Sequence, residues 1–172
     1  MSSIEIAAAR PEEKTTIANL MQLYTHDFSE QWAGQERGEL QDDGRFPEYR
    51  LDDYWRDQAR IPLLLKRDGR LIGFALLNAQ AYSGRAVGRN MAEFFIVRKH
   101  RRSGAGTEAA QAIFGRYPGQ WETAVMRSNT SALAFWRKAI AGHPHAVEIE
   151  ESDVSDNKWN GPIIRFRISP PE

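Results

Sequence analysis

The chain contains no cysteine in 172 residues. That absence excludes disulfides, thiolate metal sites and a covalent cysteine mechanism together. Net charge is missing too, since 23 lysines and arginines balance 23 aspartates and glutamates. Bulk charge therefore gives no attraction for nucleic acid or for an acidic membrane, and neither partner is expected. No apolar run approaches bilayer length, and the N-terminus has no signal-like apolar core. A cytoplasmic location is the expectation. Of the four histidines only His143 and His145 lie close together, beside Pro144, where they read as a turn. No metal is expected. Repeats, low-complexity tracts and linkers are also lacking, so residues 1–172 read as one domain, long enough to bury roughly 70% of its unfolded surface.

What is present is a series of short apolar runs and helical stripes. Ile4 to Ala7 reads as a first strand, and Pro11 then stands where a helix start tolerates proline. Ile17, Leu20, Met21 and Tyr24 recur at helical spacing. From Phe28 to Gln58 the pattern dissolves among polar and aromatic residues, with a short helix expected around Leu51 to Gln58. Ile61–Lys66 and Leu71–Asn78 are apolar runs joined through Asp68-Gly69, a hairpin signal. Ala79 to Asn90 reads as a flexible connection. Next come a strand from Met91 to Val97, a helix from Thr107 to Tyr117 and a strand from Gln120 to Arg127. The helix Asn129–Ala141 carries Ala132, Trp136, Ala139 and Ile140 on one face and is closed by Gly142. Ala146–Glu150 and Pro162–Ile168 read as two final strands. Strands with interposed helices predict an α/β fold, an α+β sandwich around a mixed sheet.

The most informative stretch is Arg101-Arg102-Ser103-Gly104-Ala105-Gly106, because an apolar strand precedes it and a helix follows. Free N–H groups at a helix start, helped by the helix dipole, make an anion site. Glycines admit a bulky phosphate, and Arg98, Lys99, His100, Arg101 and Arg102 add positive charge. Three readings compete. A P-loop requires a Gly-Lys-Ser/Thr ending, which is absent. Gly104-Ala105-Gly106-Thr107-Glu108-Ala109 fits the dinucleotide pattern G-x-G-x-x-A. In that pattern the strand should run almost directly into the first glycine, whereas six residues separate Val97 from Gly104. Its acidic partner should also close the next strand, whereas Glu122 stands near the start of one. The third reading is a coenzyme A pyrophosphate loop.

The third reading has a second motif behind it. Arg101-x-x-Gly104-x-Gly106 is followed, one helix and one strand later, by Asn129-x-x-Ala132-x-x-Phe135-Trp136-Arg137-Lys138. This pair resembles the signature of the GNAT superfamily of N-acetyltransferases, most closely from Met91 to Ala141. The resemblance implies a GNAT-like fold with a central mixed, mainly antiparallel sheet flanked by helices. It implies a variable acceptor-side part (1–60), a cofactor-binding core (61–141) and C-terminal strands (142–172). The implied activity is acetyl transfer from acetyl-CoA by direct attack of an amine, with a small-molecule or peptide acceptor and a homodimer allowed. Phe95, Ile96 and Val97 would align the pantetheine through their backbone. Arg101, Arg102, Ser103, Gly104, Ala105, Gly106 and Thr107 would hold the pyrophosphate. Asn129 would contact the pantetheine arm, and Phe135 and Trp136 would flank its thiol end.

Each of these residues also has a plainer reading. Asn129 is a good helix N-cap, and Phe135 and Trp136 are ordinary core aromatics. The position of Trp136 is often tyrosine in the family, where a hydroxyl can return a proton to the leaving thiolate. Indole does not titrate near neutral pH, so the general acid has no assigned residue. A non-catalytic acyl-CoA-binding or sensor module is therefore an alternative, as is an RNA-binding domain using the basic turn. Glu93 interrupts an apolar strand and shares a face with Phe95 and Val97. A carboxylate there asks for a reason, which is an ion pair, a solvated strand end or service as a general base. Asp27, Glu30, Asp42 and Asp43 lie where the resemblance puts the acceptor site, and read mostly as surface charges.

Overall fold

The computed structural model describes residues 3–171. Seven strands form one sheet: β1 (Ile4–Ala8), β2 (Ile61–Arg67), β3 (Arg70–Asn78), β4 (Arg89–Ile96), β5 (Gly119–Ala124), β6 (Ala146–Ser155) and β7 (Asn160–Ile168). Their spatial order is β1-β2-β3-β4-β5-β7-β6, and every pairing is antiparallel except β4 with β5. Helix α1 (Lys14–Phe28) lies on one face, where Ile17, Leu20, Met21 and Tyr24 pack with Leu64, Phe74, Leu76 and Phe95. Helices α2 (Ala105–Arg116) and α3 (Thr130–Ala141) cover the other, around Leu63, Leu65, Phe114, Trp121 and Phe166. This is the α/β sandwich expected from the alternation of elements. No helix among the described residues is long and apolar enough to cross a membrane.

Local chemistry explains most boundaries. Pro11 opens a single 3-10 turn leading into α1, and the Glu13 carboxylate reaches back to the Arg10 amide at 2.8 Å. Asp68 and Gly69 both have positive φ, 50° and 74°, as a two-residue hairpin turn requires. Asn129 caps α3 by accepting the Ala132 amide at 3.1 Å. His143 Nδ1 accepts the His145 amide at 3.2 Å, which makes that pair a turn.

Several expectations are corrected. The helix expected at Leu51–Gln58 is only a 3-10 turn, Asp52–Trp55, because the Asp57 side chain accepts the Ala59 amide at 2.9 Å in a turn that competes with helix continuation. β6 runs to Ser155, five residues beyond its expected end. Most of this strand is solvent-exposed, so it has no buried face to mark it in the sequence. α2 starts at Ala105, its first turn masked by Gly106, and β5 ends at Ala124.

The connection expected to be flexible, Ala79 to Asn90, is tethered between Tyr82 and Ala86 by a buried ion pair, and its last two residues belong to β4. Glu122 accepts the amides of Tyr82 (2.6 Å) and Ser83 (3.2 Å), the Ser83 hydroxyl (2.6 Å) and Arg165 Nη1 (2.9 Å). Arg165 in turn donates to the carbonyls of Arg85 and Ala86. Both carboxylate oxygens of Glu122 are thereby spent, and none is left for a dinucleotide ribose.

Candidate active site

The site arises where β4 and β5 part company. The two strands pair only at Arg89 with Trp121 and Asn90 with Glu122. Just beyond, β4 bulges: Leu77 faces Met91 and Leu76 faces Glu93, so Ala92 is the extra residue. A bulge bends the strand and ends its pairing on that side. A cavity of about 230 Å3 occupies the resulting gap. It is lined from the α3 side by Asn129, Ala132, Phe135 and Trp136, and from the α1 side by Tyr24, Phe28 and Trp32. The cavity therefore joins the two faces of the sheet.

The open edge of β4 supplies backbone groups to this gap. The Phe95 carbonyl points at β3, where a Cβ on Gly73 would come within 1.9 Å of it. The Val97 amide likewise donates to Ile72. By strand alternation, Phe94 and Ile96 turn their backbone toward the gap. Of the three residues expected to align a cofactor arm, only Ile96 turns toward that edge, with its carbonyl taken by Arg101 Nε and only its amide left, while Phe94 lines the cavity unforeseen. Phe95 and Val97 are committed to β3.

The glycine turn keeps its anion-binding geometry but not all of its charge. Gly104 precedes α2 with φ of 84°, a left-handed conformation that glycine adopts without strain. The first helical bond runs from the Glu108 amide to the Gly104 carbonyl. The amides of Ala105, Gly106 and Thr107 therefore have no backbone acceptor among the described residues. Gly106 serves packing, since a Cβ there would lie 3.3 Å from the Phe135 ring. Arg101 is turned inward: its Nε donates to the Ile96 carbonyl at 2.6 Å and its Nη2 pairs with Asp27. Arg98 pairs with the same carboxylate at 3.0 Å. Partial burial favours protonation of Asp27, but the two guanidinium groups outweigh it and hold the pKa below the ordinary value. Asp27 therefore ties α1 to the turn, while Arg102, Ser103 and Lys99 stay on its surface. Glu30 and Asp42 are exposed and Asp43 pairs with Arg45, so none of the four acids reaches the cavity.

On α3, the Asn129 side chain spends its carbonyl on the cap and lines the cavity, and its amide nitrogen has no partner among the described residues. Phe135 and Trp136 form an aromatic wall with Phe94, whose ring centroid lies 5.8 Å and 5.2 Å from theirs. Trp136 is only 7% exposed, so packing and cavity lining coincide in one side chain.

Across the gap stands Glu93. Its carboxylate accepts from the Tyr24 hydroxyl and, at 3.3 Å, from the Tyr49 hydroxyl, and its open side faces the cavity. Burial pushes its pKa up to about 7, and the two phenols and Arg37 pull it only partly back. Burial and the neighbouring carboxylate raise both phenols, so Tyr24 and Tyr49 remain protonated donors. Sequence reasoning found Glu93 but not its phenols, nor Trp32, Arg37, Tyr82 and Trp159 around the cavity. The signal available was the density of aromatics between Tyr24 and Trp55 in a stretch otherwise rich in charge.

Residues 17–140 match the family model of the acetyltransferase (GNAT) family. The chain belongs to the GNAT acetyltransferase family. No curated protein sequence matches it. Similar solved structures include an acetyltransferase from Thermus thermophilus, at 15% identity with 97% of each chain covered and a TM-score of 0.60. The aminoglycoside acetyltransferase AAC(6')-Ib, in complex with coenzyme A and kanamycin, is 14% identical with a TM-score of 0.63, covering 96% of this chain and 95% of that one. Spermidine N-acetyltransferase from Vibrio cholerae, in complex with coenzyme A and spermine, is 16% identical with a TM-score of 0.53, covering 96% and 94%. At such identities the likeness is one of fold.

Acetyl-CoA is the cosubstrate of GNAT enzymes, and the residues present fit it. The three free amides after Gly104 suit a pyrophosphate, and the open β4 edge suits an amide-bearing arm. Where the strands part, Asn90 Oδ1 and Thr123 Oγ1 are buried on the cavity wall without a hydrogen-bond partner among the described residues. Orphaned polar atoms at that point suit a polar guest.

Proposed function

We propose that this GNAT protein is an N-acetyltransferase in which an acceptor amine attacks acetyl-CoA directly, with no covalent enzyme intermediate. One observation carries the proposal: a single cavity passes through the sheet, with Glu93 on one side and the α3 wall on the other. Bound there, acetyl-CoA supplies an activated acetyl group. The amides of Ala105, Gly106 and Thr107, with Arg102, Ser103 and Gly104, hold the pyrophosphate. The backbone of Phe94 and the amide of Ile96 align the pantetheine from the β4 edge, and Asn129 contacts it from α3. Glu93, poised near neutral pH, takes the proton that the amine must lose as its bond to carbon forms. The relatives bound to kanamycin and spermine support an amine as acceptor. The same reading treats residues 1–172 as one catalytic domain and places it in the cytoplasm, where the thioester donor is available.

Gly104→Asp tests the cofactor half. Nothing lies within 4 Å of a Cβ at this position, so the cost to the apo fold is the left-handed backbone alone, about 1–2 kcal/mol. A negative charge at the start of α2 offsets part of that. The wild type should gain roughly 2.7 kcal/mol from coenzyme A at about 100 times its dissociation constant, and the variant nothing. A thermal shift with NAD and none with coenzyme A would overturn the assignment.

Trp136→Phe tests the proton return. A thiol with pKa near 8.5 leaves as thiolate without a strong acid, so a titrating group at this position is dispensable. Turnover should fall by less than about tenfold, and a loss beyond about a hundredfold with normal coenzyme A binding would reveal a specific role for the indole N–H. The missing hydroxyl also favours the binding-module alternative, in which coenzyme A shifts the melting curve and no amine releases thiol. That assay has no background from the protein, which carries no cysteine.

A further inference from the structure

The acceptor side of the cavity carries an unusual charge pattern. Among its lining residues Glu93 is the single carboxylate and Arg37 the single full cation. Arg37 lies with its guanidinium carbon 4.0 Å from the centroid of the Trp32 ring, and it makes no ion pair or hydrogen bond among the described residues. Its placement is nevertheless specific. The 3-10 turn Glu36–Gly38 is tied to Trp32 through Gln35, whose amide donates to the Trp32 carbonyl at 2.9 Å. A Cβ on Gly38 would come within 3.2 Å of the Trp32 Cβ, so the turn packs closely on the base of that residue. An arginine stacked on an aromatic ring is held with its N–H fork presented sideways, in the geometry that engages a carboxylate.

Polycationic acceptors fit this arrangement badly. A spermine- or kanamycin-like molecule brings several ammonium groups, and each needs a carboxylate once water is removed. Glu93 can serve one, and Arg37 repels the rest. On the outer surface beside Arg37 stand Arg127, held by Asp153 at 2.7 Å, Lys158, and Asp156, whose carboxylate accepts the Lys158 and Trp159 amides at 2.7 and 2.8 Å. The other walls are Phe28, Trp32, Tyr82 and Trp159, with the Tyr82 and Trp159 rings 4.7 Å apart.

We infer that the acceptor is a monoamine bearing a carboxylate and an apolar body, the simplest case being an α-amino acid with an aliphatic or aromatic side chain. Its amine lies at Glu93, its carboxylate at Arg37 and its body among the aromatic walls. This rests on the proposal that the cavity is an acetyltransferase site, and it adds the class of amine.

The test measures thiol release by the full chain at saturating acetyl-CoA with matched pairs: L-leucine with isopentylamine, L-phenylalanine with phenethylamine, and spermidine beside them. The expected kcat/KM for an amino acid exceeds that for its decarboxylated partner, and that for spermidine, at least tenfold. Arg37→Ala should cut the ratio within each pair at least tenfold, with Arg37→Lys retaining part of it. Preference for spermidine or for the decarboxylated amines, or a ratio unchanged in Arg37→Ala, overturns this inference and leaves the acetyltransferase reading standing. Failure of every amine to release thiol from protein that still binds coenzyme A overturns that reading too.

Discussion

Glu93→Gln is expected to lower turnover by a factor of about 10²–10⁴, the usual contribution of a positioned general base. Gln keeps the size of the side chain and can still accept a hydrogen bond from Tyr24 or Tyr49, so coenzyme A binding should persist. The pH dependence separates a base from a structural carboxylate. In the wild type kcat/KM should fall as pH drops below about 7, where Glu93 takes up a proton. The variant should lose that limb. Stability supplies an independent readout with a defined sign. The folded state raises the Glu93 pKa from 4.5 to about 7, so the protonated form is favoured by folding. Below the ordinary value of 4.5 no penalty exists, because the group is neutral in both states. Between 4.5 and 7 the penalty grows, and above 7 it is complete. The shift corresponds to a ceiling on the order of 3 kcal/mol. Glu93→Gln should therefore melt several degrees above the wild type at pH 8, with the gap closing as pH falls toward 5. A variant with an unchanged pH–rate profile would reduce Glu93 to a structural role.

Glu122→Ala carries the largest expected effect on stability. Glu122 is fully buried and Arg165 is 6% exposed, and their 2.9 Å contact neutralises both charges. Removing one partner leaves a buried guanidinium uncompensated, which costs about 3–5 kcal/mol. For a chain of this size that lowers the melting temperature by roughly 10 °C. The amides of Tyr82 and Ser83 lose their acceptor at the same time, so the turn that presents Tyr82 to the cavity should loosen. Faster amide exchange across residues 82–86 would report this directly. A loss below about 1 kcal/mol would mean that water replaces the carboxylate, and that the turn is held by other contacts.

The buried pair also shows why a sequence can mislead about order. Ala79–Asn90 is rich in glycine and polar residues, and nothing within it signals rigidity. Its restraint comes from Glu122 and Arg165, about 40 and 80 positions away. Contacts of such separation leave no local pattern. Arg101 teaches the same lesson in reverse. It belongs to the glycine motif, yet its guanidinium serves Asp27 and the Ile96 carbonyl. The motif marks where the backbone turns, not where each side chain points.

Taken alone, the sequence determined the element types, the hairpin at Asp68-Gly69, the cap at Asn129, the anion-binding turn and the family to which two spaced motifs point. These features are local: periodicity, a cap and glycine conformations act over a few residues and are written in them. It also singled out Glu93, since a lone carboxylate in an apolar strand is conspicuous. Only the tertiary structure decided what surrounds that carboxylate. Strict alternation from Met91, which packs on the α2–α3 face, would put Glu93 on that same face. The bulge at Ala92 inserts one residue and turns Glu93 to the α1 face, among Tyr24, Tyr49 and the aromatic walls. A one-residue shift exchanges the two faces of a strand, and it depends on how β4 leaves β5 while still pairing with β3. That balance of long-range pairings is a property of the assembled sheet.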